Sequence, residues 1–122
     1  MHDAARPLVT PALVDATVAA LTPPWAAVAP ALAVVDTLKL VDGGSGEVRR
    51  TVDRRDLWAV QTPQVFARDT LERAHRAATA AVTDDLALVE AAGGRVRLVE
   101  GERRNFKITF PDDLVVAEAL LA

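Results

Sequence analysis

Cysteine is absent from the 122 residues of this chain. The sequence therefore excludes disulfide bonds, thiolate nucleophiles and zinc sites built on thiolates. The two histidines, His2 and His75, lack the paired spacing of a histidine zinc site. The absence of cysteine is compatible with a reducing cytoplasm, which is the compartment that we expect for this protein.

The sequence also has little excess charge and no long apolar run. Its formal net charge is −3, so we expect no general attraction to nucleic acid or to an anionic membrane. The longest apolar run, residues 25–35, is too short to span a bilayer. The first residues show no apolar segment behind a basic start, so no signal peptide is expected.

A glycine-rich phosphate loop is also missing. Such a loop follows a strand and opens a helix, so that backbone N–H groups surround the phosphates of a nucleotide. The two glycine pairs, Gly43-Gly44 and Gly93-Gly94, stand in a turn and at a predicted helix end. The sequence therefore predicts no nucleotide-binding loop of this kind.

What the sequence does contain is an alternation of helix-like and strand-like segments, which favours the α/β class. The composition, 51% hydrophobic and 25% charged, is typical of a soluble globular chain. Helices are predicted at residues 10–21, 68–81, 84–92 and from 111 onward, and strands at residues 27–35, 57–61 and 95–100, with a strand-like stretch at 105–109.

Local signals refine these predictions. Thr10 is expected to cap the first helix, whose apolar face should carry Val14, Val18 and Leu21. Pro30 suggests that the strand at 27–35 lies at a sheet edge or contains a bulge. Thr83 is expected to cap the helix at 84–92. In the last helix, the apolar stripe of Leu114, Ala117 and Leu121 should face the core.

A polar β-hairpin is predicted at residues 37–52. Its strands, residues 37–41 and 47–52, flank the glycine-rich turn Asp42–Gly46. A two-stranded hairpin with little apolar surface is not stable by itself. We therefore expect it to project from the domain and to be stabilised by a second subunit.

Several polar residues stand where strands and turns are predicted to end, and each also has an ordinary structural interpretation. Asp3 is suited to a turn or a cap, or to a magnesium ion that bridges phosphates. Thr37 and Arg54, at the two ends of the hairpin, are either solvated or aimed at a phosphate. Thr62 follows a predicted strand, where ligands collect in open α/β sheets.

Two more candidates lie in the second half of the chain. Thr83 marks a helix N-terminus, which is both an ordinary cap position and a natural anion site. Lys107 stands between apolar neighbours in a strand-like stretch, where a partner anion becomes more favourable than plain solvation.

Taken together, the motifs are more specific than any one of them. The set resembles the 2-C-methyl-D-erythritol 4-phosphate cytidylyltransferase family of the non-mevalonate isoprenoid pathway, over essentially the whole chain. The chain begins at what resembles the middle of the family pattern, so we expect the C-terminal portion of a single cytidylyltransferase domain, residues 1–122, without the half that grips CTP. In chain order the main motifs are His2-Asp3-Ala4-Ala5-Arg6-Pro7, Asp36-Thr37-Leu38-Lys39, Thr51-Val52-Asp53-Arg54, Gln61-Thr62-Pro63-Gln64, Thr83-Asp84-Asp85 and Asn105-Phe106-Lys107-Ile108-Thr109.

The resemblance implies part of a Rossmann-like nucleotidyltransferase fold and a homodimer that interlocks through a hairpin arm at residues 37–53. It implies attack by the oxygen of methylerythritol phosphate on the α-phosphorus of CTP, with release of pyrophosphate. Asp3 would hold Mg²⁺ or another divalent cation, and Asp3 and Lys107 would be catalytic. The residues expected to bind the sugar phosphate, partly across the dimer, are Arg6, Thr37, Arg54, Thr62, Thr83 and Lys107.

Alternatives remain open at this point. A sibling family acts on ribitol 5-phosphate and shares the Thr-Pro-Gln turn at Thr62. The chain is alternatively a non-catalytic module for sugar-phosphate binding or dimerisation, or a decayed fragment. Because a parallel sheet is normally covered on both faces, loss of the first strands should leave the isolated chain marginally stable and inactive.

Overall fold

The computed structural model describes residues 1–79, 81 and 84–122. These residues form a mixed α/β fold in which the strands build one four-stranded sheet and one separate two-stranded hairpin. Within the described ranges, no helix is both long and apolar enough to cross a membrane. The elements are α1 (Pro11–Ala19), β1 (Ala27–Ala33), β2 (Leu38–Val41), β3 (Val48–Val52), β4 (Trp58–Val60), β5 (Val65–Phe66), α2 (Arg68–Ala77), α3 (Asp85–Ala91), β6 (Val96–Glu100) and α4 (Pro111–Leu121).

Strand β1 lies in the centre of the larger sheet. On one side it pairs antiparallel with β5 through Val28 and with β4 through Ala31. On the other side it pairs in parallel with β6, where Ala29 is opposite Leu98. The sheet is therefore mixed rather than wholly parallel, and the short alanine-rich strand β1 is buried from Ala27 to Ala31.

Pro30 is buried within this central strand, so its predicted place at an edge or bulge was wrong. The carbonyl oxygen of Pro30 accepts a hydrogen bond from the Gln61 N–H at 2.8 Å, in the gap between β5 and β4. Because the N and O atoms of one strand residue point to the same side, the missing N–H of Pro30 also faces that gap. The proline therefore removes no bond from the parallel ladder with β6.

The main core lies between the sheet and the pair of helices α2 and α3. Small residues on β1 allow the helices to approach closely, and the larger side chains come from α3. The buried members are Ala27, Ala29, Ala74, Leu86, Leu88 and Val89.

Helix α1 has the predicted cap but a different buried face. The Thr10 Oγ1 atom accepts a hydrogen bond from the Leu13 N–H at 3.2 Å, as expected of an N-cap. Leu13 and Thr17 are buried, whereas Val18 is 54% exposed. The burial of Thr17 is possible because its hydroxyl donates to the Leu13 carbonyl at 2.7 Å.

The cap of α3 is Asp84 and not Thr83, because Asp84 Oδ1 accepts the Ala87 N–H at 2.8 Å. Thr83 itself lies outside the described residues. Helix α2 ends at Ala77, four residues before the predicted end. Helix α3 ends in front of Gly93, whose φ of 85° is the left-handed conformation that favours glycine at this position.

Helix α4 begins at Pro111 as predicted, but its apolar stripe is mostly exposed. Ala117 is buried, whereas Leu114 is 52% exposed and Leu121 is 71% exposed. The stripe was predicted to face the core, and only its middle residue does so. The start of the helix is well capped, since Asp113 Oδ2 accepts the N–H groups of residues 109 and 110 at 2.8 Å each.

Strands β2 and β3 form an antiparallel hairpin where one was predicted, and in the described part of the chain they pair only with each other. Lys39 Nζ donates to Thr51 Oγ1 across the pair at 2.7 Å. Gly46, with a φ of 74°, closes the turn by donating to the Asp42 carbonyl at 2.7 Å. The hairpin carries more exposed apolar surface than expected, including Leu40.

Candidate sugar-phosphate site

The N-terminal segment lies beside the turn that follows β4. The Met1 amino group donates to the Gln64 carbonyl at 2.7 Å, and the Gln64 N–H donates to the Met1 carbonyl at 2.8 Å. Two residues further along, the Asp3 N–H donates to Thr62 Oγ1 at 3.1 Å. These bonds place the His-Asp motif next to the Thr-Pro-Gln turn, although some sixty positions separate them in the chain.

A third segment, residues 105–109, joins from the other side. It was predicted to be strand-like, but it is not part of either sheet. Instead, the Ile108 N–H donates to the Ala5 carbonyl at 2.8 Å, and this bond connects the segment to the N-terminal residues. As a result, Lys107 Nζ lies 3.1 Å from Asp3 Oδ2.

Four of the predicted site residues therefore line one cavity of about 320 Å³: Asp3, Arg6, Thr62 and Lys107. Two of the cavities beside α2 are lined mostly by alanine and other small residues, and Arg73 is the one charged side chain among their described lining residues. The other residues that line the site cavity are Met1, Val60, Gln61, Gln64, Asp84 and Asp85.

Two buried amide side chains hold these segments in place. Asn105 is fully buried, and its Nδ2 donates to the Thr62 carbonyl at 2.7 Å. Gln61 is 5% exposed, and its Nε2 donates to the Glu102 carbonyl at 2.9 Å. Neither residue was predicted to support the site, and the one signal for them in the sequence is their place inside the Gln61-Thr62-Pro63-Gln64 and Asn105-Phe106-Lys107-Ile108-Thr109 motifs.

Arg6 is anchored by backbone carbonyls rather than by a carboxylate. Its two terminal nitrogens donate to the Asn105 carbonyl at 2.7 Å and to the Val60 carbonyl at 3.5 Å. Burial lowers the pKa of the Arg6 guanidinium, and the charge of Asp3 partly offsets that effect. Because arginine keeps its proton in proteins, Arg6 supplies the cavity with a positive charge in a fixed orientation.

Asp3 is the acidic group of the site, and it is held in the ionised form. The pKa of Asp3 is lowered chiefly by the hydrogen bond from the Ala5 N–H and then by the bond from Lys107. Its Oδ1 accepts from Ala5 at 2.9 Å, while Oδ2 faces Lys107. A carboxylate fixed in this way is suited to bind a cation in the cavity.

The charges around the cavity are nearly balanced. Arg6 and Lys107 are basic, whereas Asp3, Asp84 and Asp85 are acidic. Lys107 is already paired with Asp3, so little free positive charge remains for a phosphate. The binding of a phosphate dianion here therefore requires either a bound cation or a further basic side chain.

A divalent cation fits this site only together with ligands from elsewhere. The described part of the chain contains no cluster of three or more His, Cys, Asp or Glu side chains that could hold a metal ion. Mg²⁺ is nevertheless commonly bound by one or two carboxylates, with substrate phosphates and water completing its coordination. The ionised Asp3 carboxylate is compatible with that type of site.

Two predicted site residues, Thr37 and Arg54, are not brought to the cavity within one chain. Thr37 is exposed immediately before β2. Arg54 is exposed after β3, and one of its terminal nitrogens donates to the Val35 carbonyl at 2.6 Å. Neither residue lines the cavity. Thr83 lies outside the described residues, although the next residues along the chain, Asp84 and Asp85, do line it.

Comparison with known proteins decides the family. A sequence model described as 2-C-methyl-D-erythritol 4-phosphate cytidylyltransferase matches residues 1–122. The chain belongs to this family. The family resemblance predicted from the motifs is thereby confirmed.

Curated relatives with that name are similar over the whole chain. The protein of Frankia casuarinae is 52% identical over 122 residues, which are 100% of this chain and 46% of the relative. The protein of Streptomyces avermitilis is 50% identical over 127 residues, covering 100% of this chain and 51% of the relative. The chain thus spans about half the length of these relatives.

Crystal structures in the family share the fold. The 2-C-methyl-D-erythritol 4-phosphate cytidylyltransferase of Thermus thermophilus is 44% identical, with a TM-score of 0.86, over 98% of this chain and 59% of that one. A crystal structure of a 4-diphosphocytidyl-2C-methyl-D-erythritol synthase also has a TM-score of 0.86, at 37% identity and over 55% of its length. That this chain corresponds to the C-terminal portion of such proteins stays a prediction.

Proposed function

We propose that this chain supplies the sugar-phosphate side of an active site that transfers cytidylyl from CTP to 2-C-methyl-D-erythritol 4-phosphate. The products are CDP-methylerythritol and pyrophosphate, in the non-mevalonate route to isoprenoids, and the enzyme is cytoplasmic. The observation that carries the proposal is the meeting of Asp3, Arg6, Thr62 and Lys107 at one cavity. Membership of the family supports the reaction class.

Transfer of a nucleotidyl group depends on positioning the reactants and on neutralising charge, because the protein forms no covalent bond in such a step. Arg6 supplies a guanidinium that backbone carbonyls hold in one orientation. Lys107 supplies a second positive charge and is catalytic through the same electrostatic effect. Its present partner is Asp3, so a phosphate that binds Lys107 has to replace the Asp3 carboxylate as its partner.

Asp3 is the residue that would hold Mg²⁺ or another divalent cation. When bound, the cation neutralises negative charge on the phosphates of CTP. The carboxylate is ionised before the cation arrives, because the Ala5 N–H and Lys107 both lower its pKa. A cation on Asp3 would also release Lys107 from its ion pair, which links the metal ligand to the phosphate ligand.

The site is completed by a second copy of the chain. Thr37 and Arg54 lie at the ends of the hairpin, outside the cavity of their own chain, and Arg54 is exposed. The arm of residues 37–53 has exposed apolar side chains on both strands, such as Leu40 and Val48. Docking of this arm on a partner would bury that surface and bring an additional guanidinium to a cavity that has little free positive charge.

The isolated chain is expected to be inactive because it has no loop for CTP in the described residues. Gly43 and Gly44 belong to the hairpin turn, and Gly93 and Gly94 follow the end of α3. Neither pair opens a helix, which is what a phosphate loop requires.

The lack of a CTP loop in the described part of the chain also supports the second candidate function, a non-catalytic module that binds the sugar phosphate. The ribitol 5-phosphate alternative is less favoured, because the relatives described above are named for methylerythritol phosphate.

Calorimetry and a turnover assay on this chain test the proposal. With Mg²⁺ present, we expect 2-C-methyl-D-erythritol 4-phosphate to bind, and Lys107→Met to weaken its binding by roughly tenfold or more. Arg73→Met removes the same charge from the exposed face of α2 and should leave binding unchanged. Turnover like that of a complete enzyme would contradict the expected inactivity. Absence of binding to the folded chain would contradict the site itself.

A further inference from the structure

His2 contacts two residues of the proposed site, Arg6 and Thr62. Its ring is exposed and does not line the cavity. Its Nδ1 atom lies 2.9 Å from Thr62 Oγ1, and its Nε2 atom lies 3.0 Å from the Arg6 carbonyl oxygen. His2 can therefore influence a ligand only through the residues that it touches.

These two contacts determine where the protons of a neutral imidazole lie. The Arg6 carbonyl oxygen can only accept a hydrogen bond, so His2 Nε2 has to carry the proton. A neutral ring has one N–H, which leaves Nδ1 as an acceptor. Thr62 must then donate its hydroxyl proton to His2 Nδ1. The opposite tautomer would place the Nε2 lone pair against the Arg6 carbonyl oxygen, which is repulsive.

The hydrogen bonds that the Thr62 hydroxyl can still form follow from a count of its proton and lone pairs. A hydroxyl has one proton and two lone pairs. The proton goes to His2, and one lone pair accepts the Asp3 N–H at 3.1 Å. One lone pair is left for a ligand in the cavity that Thr62 lines. Thr62 thus offers the ligand an acceptor and no donor.

We infer that His2 is a positioning residue that fixes Thr62 as an acceptor for a hydroxyl group of the ligand. The oxygens of a phosphate dianion only accept hydrogen bonds, so they gain nothing from Thr62 in this arrangement. A hydroxyl of a sugar phosphate can donate to it, while Arg6 and Lys107 bind the phosphate. This inference rests on the proposed function, and it changes the predicted role of Thr62 from phosphate binding to hydroxyl recognition.

The first test measures the tautomer directly in the unaltered chain. Nitrogen-15 NMR of the His2 imidazole, at about pH 8.5 where a free imidazole is neutral, distinguishes the two forms. We expect the form protonated at Nε2. His75 provides an internal reference for the assignment of the two histidines. A ring protonated at Nδ1 would mean that Thr62 keeps its proton for the ligand, and it would overturn the inference whether or not any ligand binds.

The second test separates the phosphate from the hydroxyls by using two probes, inorganic phosphate and 2-C-methyl-D-erythritol 4-phosphate. Thr62→Val keeps the shape of the side chain and removes the hydroxyl. The Asp3 N–H loses its acceptor in this variant whichever probe is bound. We therefore expect binding of the sugar phosphate to be weakened about five- to tenfold more than binding of inorganic phosphate, which is the effect of one further hydrogen bond. His2→Phe removes the acceptor that takes the Thr62 proton. It should also weaken binding of the sugar phosphate more than binding of inorganic phosphate.

The outcomes distinguish this inference from the proposed function. If Thr62→Val weakens binding of both probes equally, Thr62 contributes to phosphate binding and not to hydroxyl recognition. That result would overturn the inference without contradicting the proposed site. Failure of both probes to bind the unaltered, folded chain would overturn the proposed function and the ligand assignment with it. Circular dichroism of each variant establishes that a loss of binding does not come from unfolding.

Discussion

Lys107 Nζ and Asp3 Oδ2 lie 3.1 Å apart, although 103 residues separate the two positions in the chain. This ion pair joins the N-terminal segment to the stretch that precedes α4. Both side chains are partly exposed in the cavity, so a phosphate would compete with Asp3 for Lys107, and a cation would compete with Lys107 for Asp3. The pair describes the ligand-free state of the proposed site.

Removal of Lys107 should raise the pKa of Asp3. The bond from Lys107 is the second cause of the lowered pKa, after the bond from the Ala5 N–H. In Lys107→Met the Ala5 bond remains, so the pKa should rise only part of the way to the ordinary value of 3.8. Carbon-13 NMR titration of the Asp3 carboxyl measures the change, and Arg73→Met is the control. An unchanged pKa in Lys107→Met would mean that the ion pair does not form in solution.

Asp113 should make the stability of the chain depend on acidity. Its pKa is lowered because its Oδ2 accepts the N–H groups of Phe110 and Thr109. A lowered folded-state pKa contributes stability that is present above the ordinary value of 3.8 and is lost as the pH falls through the folded pKa. Asp113→Asn should therefore flatten the fall of Tm in acid. Asp112→Asn, in the same turn, is the control, and an identical curve for both variants would refute the role of Asp113.

Gly101 should not tolerate a side chain. A Cβ at this position would lie 2.5 Å from Gln61 Oε1 and 3.1 Å from the Ala31 carbonyl oxygen. Gln61 is buried and holds Glu102 and Asn105, so it cannot move aside freely. Gly101→Ala should lower the free energy of unfolding by about 1–3 kcal/mol in urea titrations.

The matched control for that change is Gly43→Ala in the hairpin turn, where an added Cβ meets no atom within 4 Å. It should change the free energy of unfolding by less than about 0.5 kcal/mol. If both alanine variants unfold at the same urea concentration, the close approach at Gly101 has no energetic importance.

Thr10 should stabilise the chain in two ways. It caps α1 by accepting the Leu13 N–H, and it donates to Glu102 Oε1 at 2.7 Å. Thr10→Ala removes both bonds and should cost about 1–2 kcal/mol, measured by chemical denaturation. Thr10→Ser keeps the hydroxyl and should cost much less. Equal losses in the two variants would assign the effect to the methyl group.

The hairpin should mediate association of two chains. Leu40 is 44% exposed on β2, and an aspartate there would be buried without a partner if the arm docks on a second copy. Leu40→Asp should therefore shift the protein from dimer to monomer in analytical ultracentrifugation. Val18→Asp, at a position 54% exposed on α1, is the control for charge added to an apolar surface residue. A dimer that persists in Leu40→Asp would argue against the arm.

Features that depend on a few neighbouring residues were predictable from the sequence. The cap at Thr10, the helix end at Gly93 and the turn at Asp42–Gly46 are each set by local backbone chemistry. The mixed α/β class followed from the alternation of segments. The choice of Asp3 and Lys107 came from the family motifs, because neither residue is distinctive by itself.

Features that hydrophobic periodicity does not record, or that depend on distant neighbours, were not predictable. The burial of Thr17 requires a local hydroxyl bond that hydrophobic periodicity ignores. Pro30 is tolerated in a central strand because two different strands pair with that side of β1 and leave a gap opposite the proline. The supporting amides Gln61 and Asn105 are buried by contacts across forty or more positions, and such long-range contacts leave no periodic signal in the sequence.

A crystal structure of this chain with 2-C-methyl-D-erythritol 4-phosphate and Mg²⁺ tests the proposed function most directly. We expect the phosphate group to lie between Arg6 and Lys107, with Arg54 of a second copy of the chain as a further ligand. We also expect a sugar hydroxyl on Thr62 and the cation on Asp3. A phosphate bound on another surface, or in this cavity without contact to Arg6 and Lys107, would refute the proposed function.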